Sequence, residues 1–263
     1  MANLMMAISL MAQTMRPLIL FRNKMFFALP HDIRRALFAQ LHPARFQLLQ
    51  EKRSANSESS FSLFDKHECI FIHIPKTGGS SVAISLFGKM KLGHNTITKH
   101  LIVYSHTDFD RYFKFCFVRN PWDRLFSAYN YLKNGGEARN ENDLKFWNKH
   151  KLEELKSFNN FVRTWVNKDN IYAHVHFIPQ YKFICHPTTQ NILVDYIGRY
   201  ETINENYIHI RRKLGLQNGS LEYRNKSRNK ELFNYREMYS KKSIDIVKNV
   251  YRYDIELFSY SFE

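Results

Sequence analysis

Between residues 75 and 81 the chain reads Pro75-Lys76-Thr77-Gly78-Gly79-Ser80-Ser81, a set of residue types suited to holding a phosphate or sulfate. Two glycines let the backbone approach a ligand closely, while successive N–H groups and the start of a helix face an anion. Lys76 adds a positive charge, and Thr77, Ser80 and Ser81 add hydroxyl donors. The spacing is not that of a nucleoside triphosphatase loop. In G-x-x-x-x-G-K-[ST] the lysine follows the last glycine, whereas Lys76 precedes both glycines. An ordinary glycine turn opening a helix needs neither the lysine nor the three hydroxyls.

A second constellation runs from Phe117 to Tyr129, with Arg119-Asn120-Pro121 ending an apolar run and Ser127 eight residues after Arg119. A guanidinium at the C-terminal end of a strand forks onto phosphate oxygens, and Ser127, about two turns into the next helix, can point back toward it.

The elements that must position these groups are legible in the flanking pattern. Cys69 to Ile74 is a short β-rich apolar run, and Val82, Leu86 and Met90 follow at helical spacing. The unit repeats with a strand at Phe113 to Val118 and a helix carrying Leu125, Tyr129 and Leu132 on one face. Strand, turn and helix used twice predict an α/β fold with a mainly parallel central sheet flanked by helices, whose ligands bind beyond the carboxyl ends of the strands. Further along, the pattern predicts a helix from Phe158 to Val166, a strand from Asn191 to Ile197 ending near Gly198, and one long closing helix after Ser240. Residues 1 to about 52 read as amphipathic helices broken at Pro17, Pro30 and Pro43, and Ser54 to Ser62, with five serines, reads as a polar linker. The expected division is a helical extension with linker over 1–62 and a nucleotide-binding domain over 63–263.

Thirty-nine Lys and Arg against 24 Asp and Glu give 263 residues a formal charge of +15, which suits polyanionic partners without choosing among them. A basic nucleic-acid-binding protein is the competing class, but the chain carries no nucleic-acid recognition motif and both anion sites fit a mononucleotide. Cys69, Cys116 and Cys185 are odd in number and widely spaced, so reduced core thiols and a cytoplasmic location are expected. Ser9, Gln13, Thr14 and Arg16 interrupt the apolar run of Met1 to Phe21, so neither a membrane span nor a cleaved signal is expected, and peripheral membrane contact stays open. His174-x-His176 lacks further ligands, and no metal is expected.

Phe71-Ile72-His73-Ile74-Pro75-Lys76-Thr77-Gly78-Gly79-Ser80-Ser81 resembles the 5′-phosphosulfate-binding loop of sulfotransferases that use 3′-phosphoadenosine 5′-phosphosulfate (PAPS), in the branch that includes carbohydrate and Golgi-type enzymes. Phe117 to Tyr129 resembles the same family's 3′-phosphate-binding segment, and His176-Phe177-Ile178-Pro179-Gln180, Asp195 to Glu201 and Tyr253 to Phe258 are also similar to it. The likeness spans roughly residues 68 to 260 and leaves the first 60 outside. It implies a P-loop-kinase-like sulfotransferase fold and transfer of a sulfuryl group from PAPS to a hydroxyl. A carbohydrate is the expected acceptor, with a protein tyrosine or small molecule as alternatives. It also implies that Pro75 to Ser81 hold the phosphosulfate, that Arg119 and Ser127 hold the 3′-phosphate, and that Lys76 stabilises charge on the leaving bridging oxygen. A base between the two motifs takes the acceptor proton. His94, His100 and His106 are the candidates, with His100 preferred because similar family members carry a histidine in that stretch; His174 and His176 are the outside alternatives. The basic stretch Arg224 to Lys230, including Lys226 and Ser227, is implied to close over the nucleotide.

Overall fold

The computed structural model describes residues 24–54, 57, 59–88, 92–136, 139–216, 219–222 and 234–262. Three parallel strands, β1 (Cys69–Ile72), β2 (Phe113–Val118) and β3 (Tyr196–Arg199), pair in the order β1-β2-β3. Their register sets Phe71 beside Phe115 and Phe115 beside Tyr196. All of β1, and all of β2 after its first residue, is buried, as befits a parallel sheet covered on both faces by helices. The Phe71 and Phe115 rings stack with centroids 4.8 Å apart across the pair.

Each of the first two strands hands the chain to a helix at its carboxyl end. The Gly79–Phe87 helix turns Val82, Ala83 and Leu86 inward. The Pro121–Lys133 helix starts on Pro121, where a missing N–H costs nothing, and Asn120 caps it by accepting from the Trp122 N–H. Its inner face, Trp122, Leu125, Tyr129 and Leu132, organises a second core with Phe146, Phe161, Trp165 and Phe177. The first core surrounds the sheet.

Three boundaries differ from the sequence pattern. The strand expected over Asn191 to Ile197 is displaced to β3, because pairing with β2 begins only where Asp195 bonds the Lys114 backbone, while Ile192 makes an isolated antiparallel bridge to Cys185. The single closing helix is two, Lys241–Val250 and Arg252–Leu257, and the break at Tyr251 turns Asp254 into the core. The serine-rich linker gives way early to the Ser60–Lys66 helix, capped by Ser59, whose Phe61 and Phe64 are core residues. The helices His31–Leu41 and Pro43–Glu51 do break at Pro30 and Pro43 and lie against the Ile97–Val103 helix. Cys69, Cys116 and Cys185 are buried free thiols, and burial pushes Cys69 up to about 12 and Cys185 to about 11. Among the described residues no helix is long and apolar enough to cross a membrane.

Candidate active site

Beyond β1 the chain stays buried through Pro75 and then turns through two left-handed residues, Lys76 at φ 69° and Gly78 at φ 78°. Gly78 caps the Gly79–Phe87 helix, so the amides of its first turn open toward the end of the sheet. Glycine is required at 79 for want of room: a Cβ there would lie 2.0 Å from His73 Cδ2. Thr77 is buried and donates its hydroxyl to the Ile74 carbonyl at 2.8 Å, so it braces the loop instead of facing a ligand. Ser80 is exposed and Ser81 buried. The Lys76 ammonium rests 3.9 Å from the centre of the Tyr131 ring, a cation–π contact.

Arg119, at the end of β2, joins the two motifs. Its Nη1 donates to the Lys76 carbonyl at 3.1 Å, Nε and Nη2 donate to Asp123 at 2.7 and 2.6 Å, and the guanidinium lies 4.3 Å from the Tyr200 ring centre. A guanidinium has five N–H donors, so this bracing still leaves hydrogens for a further anion. Ser127 lies one turn beyond Asp123 on the same helix face and is half-buried.

Residues to which the sequence assigned no role hold this corner in place. Gln180 clasps the Arg119 backbone from both sides, accepting its N–H at 2.9 Å and donating to its carbonyl at 2.8 Å. Asp254 in turn accepts the Gln180 and Tyr181 N–H groups at 2.7 and 2.8 Å; burial nevertheless pushes its carboxyl up to about 6. Glu201 accepts from the Asn120 N–H and the Tyr260 hydroxyl. Arg124 is fully buried and donates to the carbonyls of Pro75, His176 and Ile178, which ties the anion loop to the segment before Gln180. Gln180, Glu201 and Asp254 stood inside stretches that resembled the family, but only the fold shows that they converge on Arg119.

The candidate histidines differ in exposure and surroundings. His100 lies on the inward face of the Ile97–Val103 helix with 1% exposure, its ring against Tyr104, Phe61 and Phe64, and burial depresses its pKa to about 3. The ring is closed off from the surface there. His106 is exposed and pairs with Asp110 at 3.3 Å. His94 instead stands beside the loop, its ring 4.6 Å from that of His73 and 5.5 Å from that of His176. Its Nδ1 lies 3.2 Å from the His73 carbonyl, which can only accept, so Nδ1 carries the proton and Nε2 holds a lone pair. Burial, then the charges of Arg124 and Lys76, lower its pKa against the raising effect of the His73 carbonyl. His176 packs edge-on to Tyr131 at 4.7 Å, and His174 binds Asp143 at 3.1 Å. Lys76, Tyr131, His94 and His176 thus share one wall. Lys226 and Ser227, with the rest of Arg224 to Lys230, lie outside the described residues.

A glycine-containing loop and an arginine thus stand at the carboxyl ends of adjacent parallel strands, with histidines alongside. The family model described as "Sulfotransferase family" matches residues 59–261, and the chain belongs to that family, whose members transfer sulfuryl groups. An uncharacterized protein of Archaeoglobus fulgidus is 32% identical over 108 residues, 41% of this chain and 72% of that one. No solved structure matches.

Proposed function

We propose that the protein transfers the sulfuryl group of PAPS to a hydroxyl of a carbohydrate, with His94 as the base. The observation that supports this reading is the 3.1 Å bond from Arg119 to the Lys76 carbonyl, which joins the two motifs that would hold one nucleotide. The amides of the Gly79–Phe87 helix, with Ser80 and Ser81, receive the 5′-phosphosulfate, while Arg119 and Ser127 receive the 3′-phosphate. By the family resemblance, Lys226 and Ser227 are further candidates to contact the nucleotide.

In the reaction the acceptor oxygen forms a bond to sulfur as the bond from sulfur to the bridging oxygen breaks. The electron pair leaves with 3′-phosphoadenosine 5′-phosphate, and the acceptor proton passes to His94 Nε2. Lys76 swings from Tyr131 to the bridging oxygen, where negative charge grows. The carbohydrate assignment rests on the branch that the motifs resemble, and the free thiols favour a reducing, cytoplasmic setting. Incubation with PAPS carrying radioactive sulfur and a panel of glycans, tyrosine peptides and small alcohols tests the reading. Label on glycans supports it; label only on peptides or small alcohols overturns the acceptor, and label on nothing overturns the activity.

A further inference from the structure

The sequence offered His174-x-His176 as a pair in want of a further ligand, and the fold supplies one. Asp143, in the first turn of the Glu141–Lys149 helix, brings its carboxylate to the pair, and one ligand atom from each of the three residues lies within 4.8 Å of the others. The group is enclosed: Asp143 is 8% exposed and His176 6%. His176 Nδ1 is also buried without a hydrogen-bond partner, a state that native interiors rarely leave unexplained.

We propose that Asp143, His174 and His176 bind a divalent ion of the zinc type. Two imidazoles and one carboxylate are the donor set such an ion takes, with a fourth position left for water or a substrate oxygen. Lys76 and Arg124 stand close enough to His176 to act on it electrostatically. The same cations oppose a second positive charge, so the carboxylate of Asp143 becomes indispensable.

Entry of the ion also changes His174. Its Nε2 now donates to Asp143 and its Nδ1 accepts the His176 N–H at 3.3 Å. On ligation through Nε2 the ring proton moves to Nδ1, so no proton is gained or lost, and both the bond to Asp143 and the long bond from the His176 N–H give way to metal coordination, with the His174 ring turning to part its Nδ1–H from that N–H. The ion would sit beside the place where the His176 ring meets those of Tyr131 and His94.

The test is calorimetric titration of the full chain, first stripped with a chelator, with zinc chloride, and a parallel titration with cobalt(II) read by its visible absorption. One saturable site with the strong absorption of tetrahedral cobalt is expected. Asp143→Asn and His176→Asn should each weaken binding by about 100-fold or more, beyond the loss typical of an outer-shell partner. His106→Asn, which removes the exposed His106–Asp110 pair, should leave it unchanged. Should Asp143→Asn fail to fold by circular dichroism, His176→Asn decides alone. No saturable uptake, or uptake that survives His176→Asn and falls with His106→Asn, overturns the site.

Discussion

Around Arg119 the polar contacts run to backbone or to side chains that a helix or strand end presents directly: the Lys76 carbonyl, Asp123 four residues on, and the amide of Gln180. On the other side of Lys76 the wall is assembled from His94, Tyr131, Asp143, His174 and His176, which come from several separate segments. The Arg119 side is a property of short sequence and strand geometry; the histidine side is a property of packing. That contrast explains why the residues of the loop can be singled out from sequence alone while the choice among the histidines turns on packing.

The largest expected effect falls on the packed side. His94→Asn should cut sulfuryl transfer on the order of 10³-fold while donor affinity holds, since the base touches the acceptor. His100→Asn should leave turnover within a few-fold of the parent and instead cost about 2 kcal/mol of stability, because it alters a ring enclosed by Phe61, Phe64 and Tyr104. Steady-state rates and denaturant melts of the two variants separate these roles, and the reverse pattern would restore His100. The pH profile adds a sign. A lowered His94 pKa means the base is free at neutral pH and becomes protonated only below the ordinary imidazole value near 6.5. The acid limb of kcat/KM should therefore lie below that pH and vanish in His94→Asn.

Lys76→Ala sharpens the comparison from the Arg119 side. It should lower kcat by roughly 10²-fold or more and change nucleotide affinity far less, because the charge that it balances grows during bond cleavage. Equal losses in kcat and affinity, measured by rate assay and calorimetry, would assign Lys76 to ground-state binding alone.

Arg124→Met addresses the strap between the two sides. It strands the carbonyls of Pro75, His176 and Ile178 in the interior and should cost about 3 kcal/mol in urea unfolding. A loss under 1 kcal/mol would mean that the loop and the histidine segment hold their places without it.

The smallest effect concerns Asp254. Its carboxyl is raised to about 6 in the fold against about 3.9 in an unfolded chain, so its contribution to stability is present below pH 4 and lost as pH rises through 6. The stability advantage of the parent over Asp254→Asn should shrink by on the order of 2 kcal/mol across that interval. An advantage that grows with pH instead would show that the Gln180 and Tyr181 N–H bonds outweigh burial.

How much of this was legible follows from the range of each interaction. β2 was readable to the residue because a run with five consecutive buried positions needs no knowledge of its partners. β3 was not, since its start depends on where Asp195 meets Lys114, 81 residues away in sequence. Lys76, Gly78, Gly79 and Arg119 could be singled out because backbone turns and strand ends dictate such residue types locally. Thr77 was read as a ligand donor, yet its hydroxyl closes on Ile74 three residues back, a choice that only the loop's geometry makes. His94 and His100 are alike in sequence, and which of them is entombed depends on the face that the Ile97–Val103 helix turns to Phe61 and Phe64.

The central claim, one nucleotide spanning both motifs, is tested most directly by calorimetric titration with 3′-phosphoadenosine 5′-phosphate and with adenosine 5′-phosphate, which lacks the 3′-phosphate, in the parent chain and in Arg119→Ala. The parent should bind the 3′-phosphorylated nucleotide at one saturable site and clearly more tightly than the other, and Arg119→Ala should erase that preference while leaving the weaker ligand's affinity nearly unchanged. Equal affinities in the parent, or no saturable binding of either nucleotide, would contradict it.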